Sequence, residues 1–292
     1  MLDPALVVLF VRLFWAVGIL GAFLAYGVPP FNHWHRYGKL RARGVVTAPA
    51  TTMLARLTAL GDITVPKRFF LHFYVVGVAA AALALYYGGG DDGGDGVSGL
   101  ARSPRRLCLA LLLAQCARRL AECARARRSA ARMHVLGYAL GLGFYPCAAL
   151  TFALEVPARG GGGAATLAGV ALCAWGALRQ HESHALLAAL RAKGGGGYAI
   201  PRGGWFRHVS CPHYLAEILV YAGLALVACG GGARAVGPGL FMLLGWVVAN
   251  LWVTARRTHA WYAATFGAEY TRLGRAALFP ATALLWRRAK WR

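Results

Sequence analysis

Acidic residues are scarce in this chain, and so are charged residues as a whole. Its 292 residues include 10 Asp and Glu against 32 Lys and Arg, and charged residues make up 14% of the total. A soluble domain usually has about a quarter of its residues charged. Together with 58% hydrophobic residues and a mean hydropathy of +0.50, this shortage excludes an ordinary soluble enzyme and predicts a polytopic membrane protein.

The net charge of +22 would suggest nucleic acid as the partner of a soluble protein. Here the basic residues lie in the loops between apolar segments, which is the pattern of a membrane protein. We therefore expect no nucleic acid as a partner. Loops that face an anionic membrane leaflet and a ligand that carries phosphate explain the charge better.

Paired cysteines and phosphate-binding glycine loops are also missing. The seven cysteines are scattered through apolar stretches without a Cys-x-x-Cys pair, so we expect no metal site and no disulfide framework. No Gly-x-Gly-x-x-Gly follows a strand, and the sequence has no Walker loop and no Gly-x-Ser-x-Gly turn. A bound nucleotide must then be held between membrane helices and their loops.

The chain does have a series of apolar segments, each near the roughly 20 residues that a helix needs to cross a bilayer. We draw seven spans, of which the third and fifth are the most polar: residues 5–28, 69–87, 107–121, 133–156, 164–179, 214–229 and 235–253. Basic loops alternate with acidic or glycine-rich ones, which predicts a cytosolic C-terminus. The expected fold is an all-α integral membrane protein with seven transmembrane helices, cytosolic loops and a short cytosolic C-terminal tail.

Residues 201–217 form the most informative stretch, a polar and aromatic run that leads directly into an apolar segment. Its last residue, Glu217, falls at the mouth of a membrane helix, where a carboxylate is costly unless it lines a cavity or has a partner. His213 lies four residues earlier on the same helical face. This pairing indicates a functional site, and the alternative is an interfacial anchor.

A second polar stripe follows the fifth predicted span. Gln180, His184 and Arg191 are separated by four and seven residues and fall on one side of a continuing helix. Such a stripe presents an amide, an imidazole and a guanidinium to a phosphate-rich ligand. The same spacing also fits a solvated helix face.

A third stripe lies where the third span leaves the membrane. Gln115, Arg119 and Glu122 are separated by four and three residues. Arg119 either binds a phosphate or pairs with Glu122 at the i+3 position. The sequence leaves both interpretations open.

Aromatic and histidine residues supply further candidates. His72 and Tyr74 follow the basic start of the second span, and His259 and Tyr262 share a face in the C-terminal region, upstream of Arg275. A tyrosine near a histidine can polarise a carbonyl or stack on a nicotinamide or adenine. Aromatic residues at a membrane border also serve as belt anchors.

These motifs in this order resemble the steroid 5α-reductase family, in its polyprenol (polyprenal) reductase branch, from about residue 37 to the end. The most specific block contains Ile200-Pro201, Trp205-Phe206, Val209-Ser210 and Tyr214-Leu215-Ala216-Glu217. The resemblance also rests on Val65-Pro66-Lys67-Arg68, Arg118-Arg119-Leu120, Gln180 with His184, and a tail with His259, Trp261-Tyr262, Phe266, Tyr270, Arg275 and Pro280.

The resemblance implies a seven-helix enzyme of the endoplasmic reticulum membrane that uses NADPH. It implies reduction of the α-isoprene double bond of polyprenal or polyprenol in dolichol synthesis, in support of protein N-glycosylation. Residues 1–132 would hold the first three helices and 133–292 the reductase-like catalytic region, within a single membrane domain. In such an enzyme the cofactor pocket is expected to include Gln180, His184, Arg191, His213, Tyr262 and Arg275, to which we add Arg119 from its stripe.

Two departures from the family pattern bear on the chemistry. Position 213 is commonly asparagine in relatives, and the carboxylate and tyrosine with which the steroid branch polarises its ketone are matched here by Thr64 and Cys116. A steroid is therefore disfavoured as the main substrate, and the proton donor stays unassigned. We take five residues as catalytic candidates: Glu217, Tyr262, Glu122, His72 and Tyr74.

Hydride transfer requires an electrophilic carbon, which an α,β-unsaturated aldehyde has at its β position and an allylic alcohol lacks. The aldehyde polyprenal is thus the expected direct substrate, with its isoprenoid tail in the membrane. Alternatives are an enoyl-CoA or 3-oxo-steroid 5α-reductase, an isoprenylcysteine methyltransferase-like enzyme, and a non-enzymatic scaffold or channel.

Overall fold

The fold described here is that of a computed structural model, which describes residues 3–28, 63–88, 97–125, 131–193 and 198–280. The basic loop predicted between the first two spans, the glycine-rich loop at 89–96 and the end of the C-terminal tail lie outside these residues. Within them the chain is mainly helical: α1 Pro4–Gly27, α2 Phe70–Gly88, α3 Val97–Arg102, α4 Pro104–Arg125, α5 Val135–Glu155, α6 Ala164–Lys193, α7 Pro212–Cys229, α8 Pro238–Phe266 and α9 Ala268–Thr271.

Helices long and apolar enough to cross a membrane confirm the prediction of a helical, multi-pass membrane protein. Five such segments occur among the described residues: Pro4–Gly27, Lys67–Gly88, Val135–Glu155, Pro212–Cys229 and Pro238–Phe266. The third and fifth predicted spans fall within α4 and α6, which are helices of ample length but are not among the five. Arginines at both ends of α4 and the polar second half of α6 lower their hydropathy.

The helices are not the whole fold, because a short β-ribbon departs from the all-α expectation. Strand β1 (Thr64–Pro66) pairs antiparallel with β2 (Arg132–His134), with Thr64 opposite His134. The residue before a proline favours an extended backbone, which explains why the chain is extended at Val65. The ribbon ends where Lys67–Phe69 forms a 3-10 turn into α2 and where α5 begins, so it fixes the starts of both helices together.

Close backbone contact between α6 and α7 fixes the centre of the site. A Cβ atom at Gly176 would lie 2.9 Å from the carbonyl oxygen of Ala216, and one at Gly223 would lie 2.7 Å from that of Gly169. Small residues allow two membrane helices to approach in this way. Because Gly176 and Ala216 each lie close in sequence to a polar residue, the contact brings Gln180 of α6 next to Glu217 of α7.

The opposite end of the bundle is held by a buried carboxylate. Glu155, at the end of α5, is 3.2 Å from Arg12 of α1 and accepts a hydrogen bond of 2.8 Å from the backbone N–H of Gly239 in α8. Trp15 donates to Thr151 Oγ1 at 3.0 Å a little further along the same helices. These contacts join α1, α5 and α8 at the end of the bundle away from the candidate site.

Candidate functional site

The polar face of α4 begins the site. Arg118 and Arg119 are each three or four residues from both Gln115 and Glu122, so these side chains project from adjacent turns of one helix side. Glu122 accepts hydrogen bonds from both arginines. Arg118 also donates to Gln115 Oε1 at 2.9 Å. The pairing of Arg119 with Glu122, one of two alternatives in the sequence, is therefore present.

Helices α6 and α7 complete this group from the other side. Gln115 Nε2 donates to Gln180 Oε1 at 2.9 Å, and it lies 3.5 Å from Glu217 Oε2. Gln180 Nε2 donates to the same carboxylate oxygen, and Arg118 donates to Gln180 Oε1. Gln115 and Gln180 are 5% and 3% exposed. Three helices therefore contribute to one hydrogen-bonded cluster inside the bundle, which we call the amide–carboxylate cluster (Gln115, Gln180 and Glu217).

His184 connects the arginines to α6. Arg119 donates to His184 Nδ1, and Glu122 Oε2 lies 3.1 Å from the same nitrogen. Because a guanidinium can only donate, the neutral ring accepts at Nδ1 and carries its proton on Nε2. The neighbouring His181 contacts Glu122 Oε1 at 2.9 Å.

Burial and charge determine the ionisation of this part of the site, which lies outside the candidate spans. Burial lowers the pKa of His184 from 6.5 to about 4, with help from the charges of Arg119 and Arg118 and against the nearby carboxylate of Glu122. Burial acts to raise the pKa of Glu122, but its contacts with His184 and His181 and the two guanidinium charges outweigh it and hold that pKa far below its usual value. At neutral pH the imidazole is neutral and the carboxylate is charged.

A tyrosine from α2 extends the network toward the apolar interior. Arg119 Nε donates to Tyr74 Oη at 3.3 Å, and its guanidinium carbon lies 5.2 Å from the centre of the Tyr74 ring. Tyr74 is 8% exposed. A polar path thus runs from Glu122 through Arg119 to a phenol hydroxyl among the membrane helices.

A second group forms where the chain after α8 returns to the loop before α7. Val209 and Ala276 form a parallel bridge, and Ser210 Oγ lies 2.7 Å from His259 Nδ1 and 2.5 Å from Tyr270 Oη. The bridge holds the adjacent Arg275, which donates to the carbonyl oxygen of Pro201 at 2.8 Å.

Aromatic rings line the same C-terminal group. The guanidinium of Arg275 lies 5.8 Å from the Tyr270 ring centre. The rings of Tyr262 and Tyr270 stack with their centroids 5.1 Å apart. The group therefore combines a fixed cation with two flat aromatic surfaces.

Cations from other elements converge near this group. Arg191 and Arg275 both lie within electrostatic range of Tyr262, and Lys67 lies within range of Arg191. His213 lies beside the first group, since its ring is 5.5 Å from that of His184. The structure thus gathers Gln180, His184, Arg191, His213, Tyr262 and Arg275 at one end of the bundle, with Arg119 and Lys67 beside them.

His72, one of the catalytic candidates from the sequence, lies in a different environment from the others. His72 Nδ1 lies 2.7 Å from Tyr138 Oη, and its ring stacks on Phe69 with centroids 4.7 Å apart. Within the described residues, the hydrogen bond of His72 leads to α5 and not to the amide–carboxylate cluster. Its neighbour Tyr74, two residues later, points to the opposite side of α2 and joins the arginines.

Four further residues in or near the site were not among the site candidates from the sequence: Arg118, His181, Tyr145 and Tyr221. Arg118 entered the sequence analysis only within the Arg118-Arg119-Leu120 motif, yet its i+4 spacing to Glu122 signals the pairing. His181 sits one residue after Gln180. Tyr145 and Tyr221 lie within apolar runs, where a tyrosine looks like any core aromatic, and no periodic signal separates them from such residues.

Comparison with known proteins gives matches over most of the chain. Residues 162–282 match the family described as 3-oxo-5-alpha-steroid 4-dehydrogenase. Polyprenal reductase 2 of Arabidopsis thaliana is 34% identical over 186 residues, which are 51% of this chain and 52% of that protein. Polyprenal reductase 1 of the same plant is 33% identical over 269 residues, covering 74% and 81%. Polyprenal reductase 1 of Oryza sativa subsp. indica is 30% identical over 310 residues, covering 82% and 85%.

Proposed function

The chain belongs to the steroid 5α-reductase family, among relatives that are polyprenal reductases, and on that premise we propose that it is an NADPH-dependent polyprenal reductase of dolichol synthesis. The observation that carries the proposal is the amide–carboxylate cluster, continuous with Arg118 and Arg119, inside a bundle of membrane helices. Ionisable residues within a membrane are costly and are typical of functional sites. The product would support protein N-glycosylation.

The substrate is an α,β-unsaturated aldehyde for a chemical reason. Its β carbon is electrophilic and accepts hydride, whereas the double bond of an allylic alcohol is not polarised. Hydride addition at the β carbon and protonation at the α carbon give the saturated aldehyde. The isoprenoid tail stays in the bilayer, so only the head of the lipid enters the site.

The residues present fit a dinucleotide that carries several phosphates. Arg118 Nε and Arg275 Nε are buried and have no hydrogen-bond partner within the described part of the chain. A buried N–H without an acceptor is unfavourable, and phosphate oxygens are strong acceptors for guanidinium groups. Arg191 and Lys67 add positive charge nearby. Phosphate would therefore satisfy donors that the protein leaves open.

The other residues of the predicted cofactor pocket offer hydrogen-bond donors, positive charge or an aromatic surface. Gln180, His184 and His213 would hold the dinucleotide through hydrogen bonds, and Arg119, Arg191 and Arg275 would hold its phosphates through charge. Tyr262 offers a flat surface for stacking. NADPH supplies the hydride when it is bound, and the protein binds, orients and excludes water around the reacting atoms.

Among the catalytic candidates, Glu217 and Tyr74 have the strongest geometric support. Glu217 lies in the amide–carboxylate cluster, and Tyr74 brings a phenol from α2 to Arg119. Glu122 is engaged by two arginines and two histidines, so we assign it the role of holding them in place. Tyr262 faces the cofactor side, and His72 faces Tyr138.

The finer topology belongs to the same proposal. Helices α4 and α6 complete seven spans, and the C-terminus faces the cytosol of a cell whose endoplasmic reticulum holds the enzyme. The polar ends of α4 and α6 then meet cytosolic NADPH. Residues 133–292 carry most of the catalytic region, and residues 1–132 supply α2 and α4 to it.

The decisive experiment uses the purified full-length chain in lipid nanodiscs with NADPH. Polyprenal, polyprenol, a 3-oxo-4-ene steroid and a trans-2-enoyl-CoA are offered separately, and NADPH consumption and products are measured. We expect reduction of polyprenal to exceed that of the other three. Equal rates with the alcohol or a preference for the steroid or thioester would contradict the assignment. A thermal shift with S-adenosylmethionine and none with NADPH would instead indicate a methyltransferase-like enzyme.

A further inference from the structure

Tyr221, in the middle of α7, has a buried hydroxyl. Tyr221 is 3% exposed, and its Oη has no hydrogen-bond partner among the described residues. Buried polar groups are nearly always hydrogen-bonded, and a phenylalanine would fill the same space without this unfavourable term. The hydroxyl is therefore open to a hydrogen-bond partner other than the described protein residues.

The position of Tyr221 indicates what that partner is. It lies one helical turn from Glu217, on the same side of α7. Glu217, Cys116 and Tyr74 are all near enough to interact electrostatically with its hydroxyl, so α2, α4 and α7 each contribute a polar or ionisable group to this region. Tyr145 of α5 faces the same groups.

The helices around this point are closely packed. A Cβ atom at Gly77 of α2 would lie 2.8 Å from Cys116 Sγ and 3.0 Å from Tyr145 Cγ. On the other side, the ring of Tyr221 meets Phe144 edge to face at 5.8 Å between centroids. The surroundings of the hydroxyl are thus apolar apart from the polar groups just named, and a hydrogen bond is strong in such a setting.

The other polar groups nearby have partners or donate weakly. Tyr74 Oη accepts from Arg119, and the carboxylate of Glu217 accepts from Gln180. A thiol such as that of Cys116 is a weak donor. Of the Tyr74 and Tyr221 hydroxyls, that of Tyr221 has no partner among the described residues, so both its proton and its lone pairs are open to a ligand.

We propose that the Tyr221 hydroxyl donates a hydrogen bond to the aldehyde oxygen of the substrate and is a catalytic residue of this enzyme. The inference rests on the proposed function. Hydride from the reduced nicotinamide forms a C–H bond at the β carbon, the α,β π bond breaks, and its electron pair moves through the conjugated system onto the oxygen. Tyr221 stabilises that oxygen, and a hydronium ion from solvent then gives its proton to the α carbon, which restores the carbonyl and leaves water.

The first test compares Tyr221→Phe with two other tyrosine variants in the full-length chain. Loss of one donor to a developing oxyanion commonly lowers kcat by about 10²- to 10³-fold. We expect that fall for Tyr221→Phe, with KM for polyprenal and Kd for NADPH changed less than about 3-fold, the scatter usual for a single contact outside the binding step. Tyr86→Phe, 79% exposed, serves as the control and should keep full activity.

Thermal stability separates this role from a structural one. Tyr221→Phe removes a hydroxyl that has no partner among the described residues, so its Tm should equal or exceed that of the unaltered protein. Tyr138→Phe removes a hydroxyl bonded to His72 at 2.7 Å, so its Tm should fall. A variant at 221 that unfolds or loses several degrees of Tm would overturn the inference, because the hydroxyl would then be needed for folding.

Infrared difference spectroscopy gives a readout independent of turnover. A saturated isoprenoid aldehyde is bound together with oxidised cofactor, and its carbonyl stretching frequency is measured. We expect a lower frequency than in alkane for the unaltered protein and a return toward the alkane value in Tyr221→Phe. An unshifted frequency in the unaltered protein, or an equal shift in both, would refute the inference.

The activity measurements also separate this inference from the proposed function. Failure of the unaltered protein to reduce polyprenal would overturn both. Normal reduction by the unaltered protein together with kcat within about 3-fold in Tyr221→Phe would overturn the role of Tyr221 alone, since an oxyanion donor contributes far more than that.

Discussion

Replacement of Glu217 tests whether the amide–carboxylate cluster orients groups or takes part in the chemistry through its charge. Two substitutions are compared. Glu217→Gln keeps the size and one acceptor oxygen but removes the charge, and Glu217→Ala removes the acceptor altogether. The neighbours concerned are Gln180 Nε2, which donates directly, and Gln115 Nε2, at 3.5 Å.

The expected magnitudes follow from these contacts. A hydrogen bond to a charged group contributes about 1.5–3 kcal/mol and a neutral one about 0.5–1.5 kcal/mol, so Glu217→Gln loses about 1 kcal/mol. Glu217→Ala leaves the buried Gln180 amide without its acceptor, which costs about 2 kcal/mol. If the cluster orients bound groups in the transition state, kcat/KM falls about 5-fold for Gln and about 30-fold for Ala.

The assay measures NADPH consumption with polyprenal, normalised to the amount of folded protein from size-exclusion chromatography. Glu269→Gln is the matched control: this acid is 63% exposed in its side chain and pairs with Arg202, so its activity should stay within 2-fold of normal, as for most exposed pairs. Equal and complete loss of activity in the Gln and Ala variants would refute an orienting role and indicate that the charge itself is required. Full activity in both would remove Glu217 from the site.

Three further predictions concern other parts of the site. Gly77→Ala should lower stability by about 1–3 kcal/mol, because its new methyl group would overlap cysteine and tyrosine side chains; an unchanged Tm would contradict this packing. The pKa of His184 is about 4 in the folded chain and 6.5 when unperturbed, so protons bind the unfolded chain first and stability should fall as pH drops from 6.5 toward 4; His184→Gln should flatten that slope, and an unaltered slope would show that other groups cause it. Arg275→Lys should raise the Kd for NADPH about 10-fold through loss of a bidentate donor, while Arg272→Lys, at an exposed position, should not; equal Kd values in fluorescence titrations would exclude Arg275 from the cofactor pocket.

Much of the candidate site was predictable because helical spacing determines which residues share a side. The i+3 and i+4 spacings of Gln115, Arg119 and Glu122 and of Gln180 and His184 place each set on one face. The conflict between a phosphate-binding and an ion-pairing Arg119 could not be resolved in this way. Spacing within one helix contains no information about the acceptor that a neighbouring helix supplies, and here His184 and Tyr74 come from two other helices.

The β-ribbon between residues 64–66 and 132–134 shows the same limit at the level of the fold. Each strand has only three residues, too few for an alternating pattern to be recognised, and their pairing joins segments far apart in the sequence. Tyr221 illustrates the limit for a single side chain. In the sequence it is an aromatic residue in an apolar run, and only the packing of four helices shows that its hydroxyl has no partner among the residues that the structure describes.

By itself, the sequence determined that this protein is a bundle of membrane helices and which residues share each helix side, since hydropathy and 3.6-residue periodicity are local properties. Its ordered motifs also indicated the family. The tertiary structure alone decided which sides meet. Backbone contact at Gly176 and Gly223 allows α6 and α7 to approach, and that approach, together with the position of α4, assembles two amides, a carboxylate and two guanidinium groups into one site.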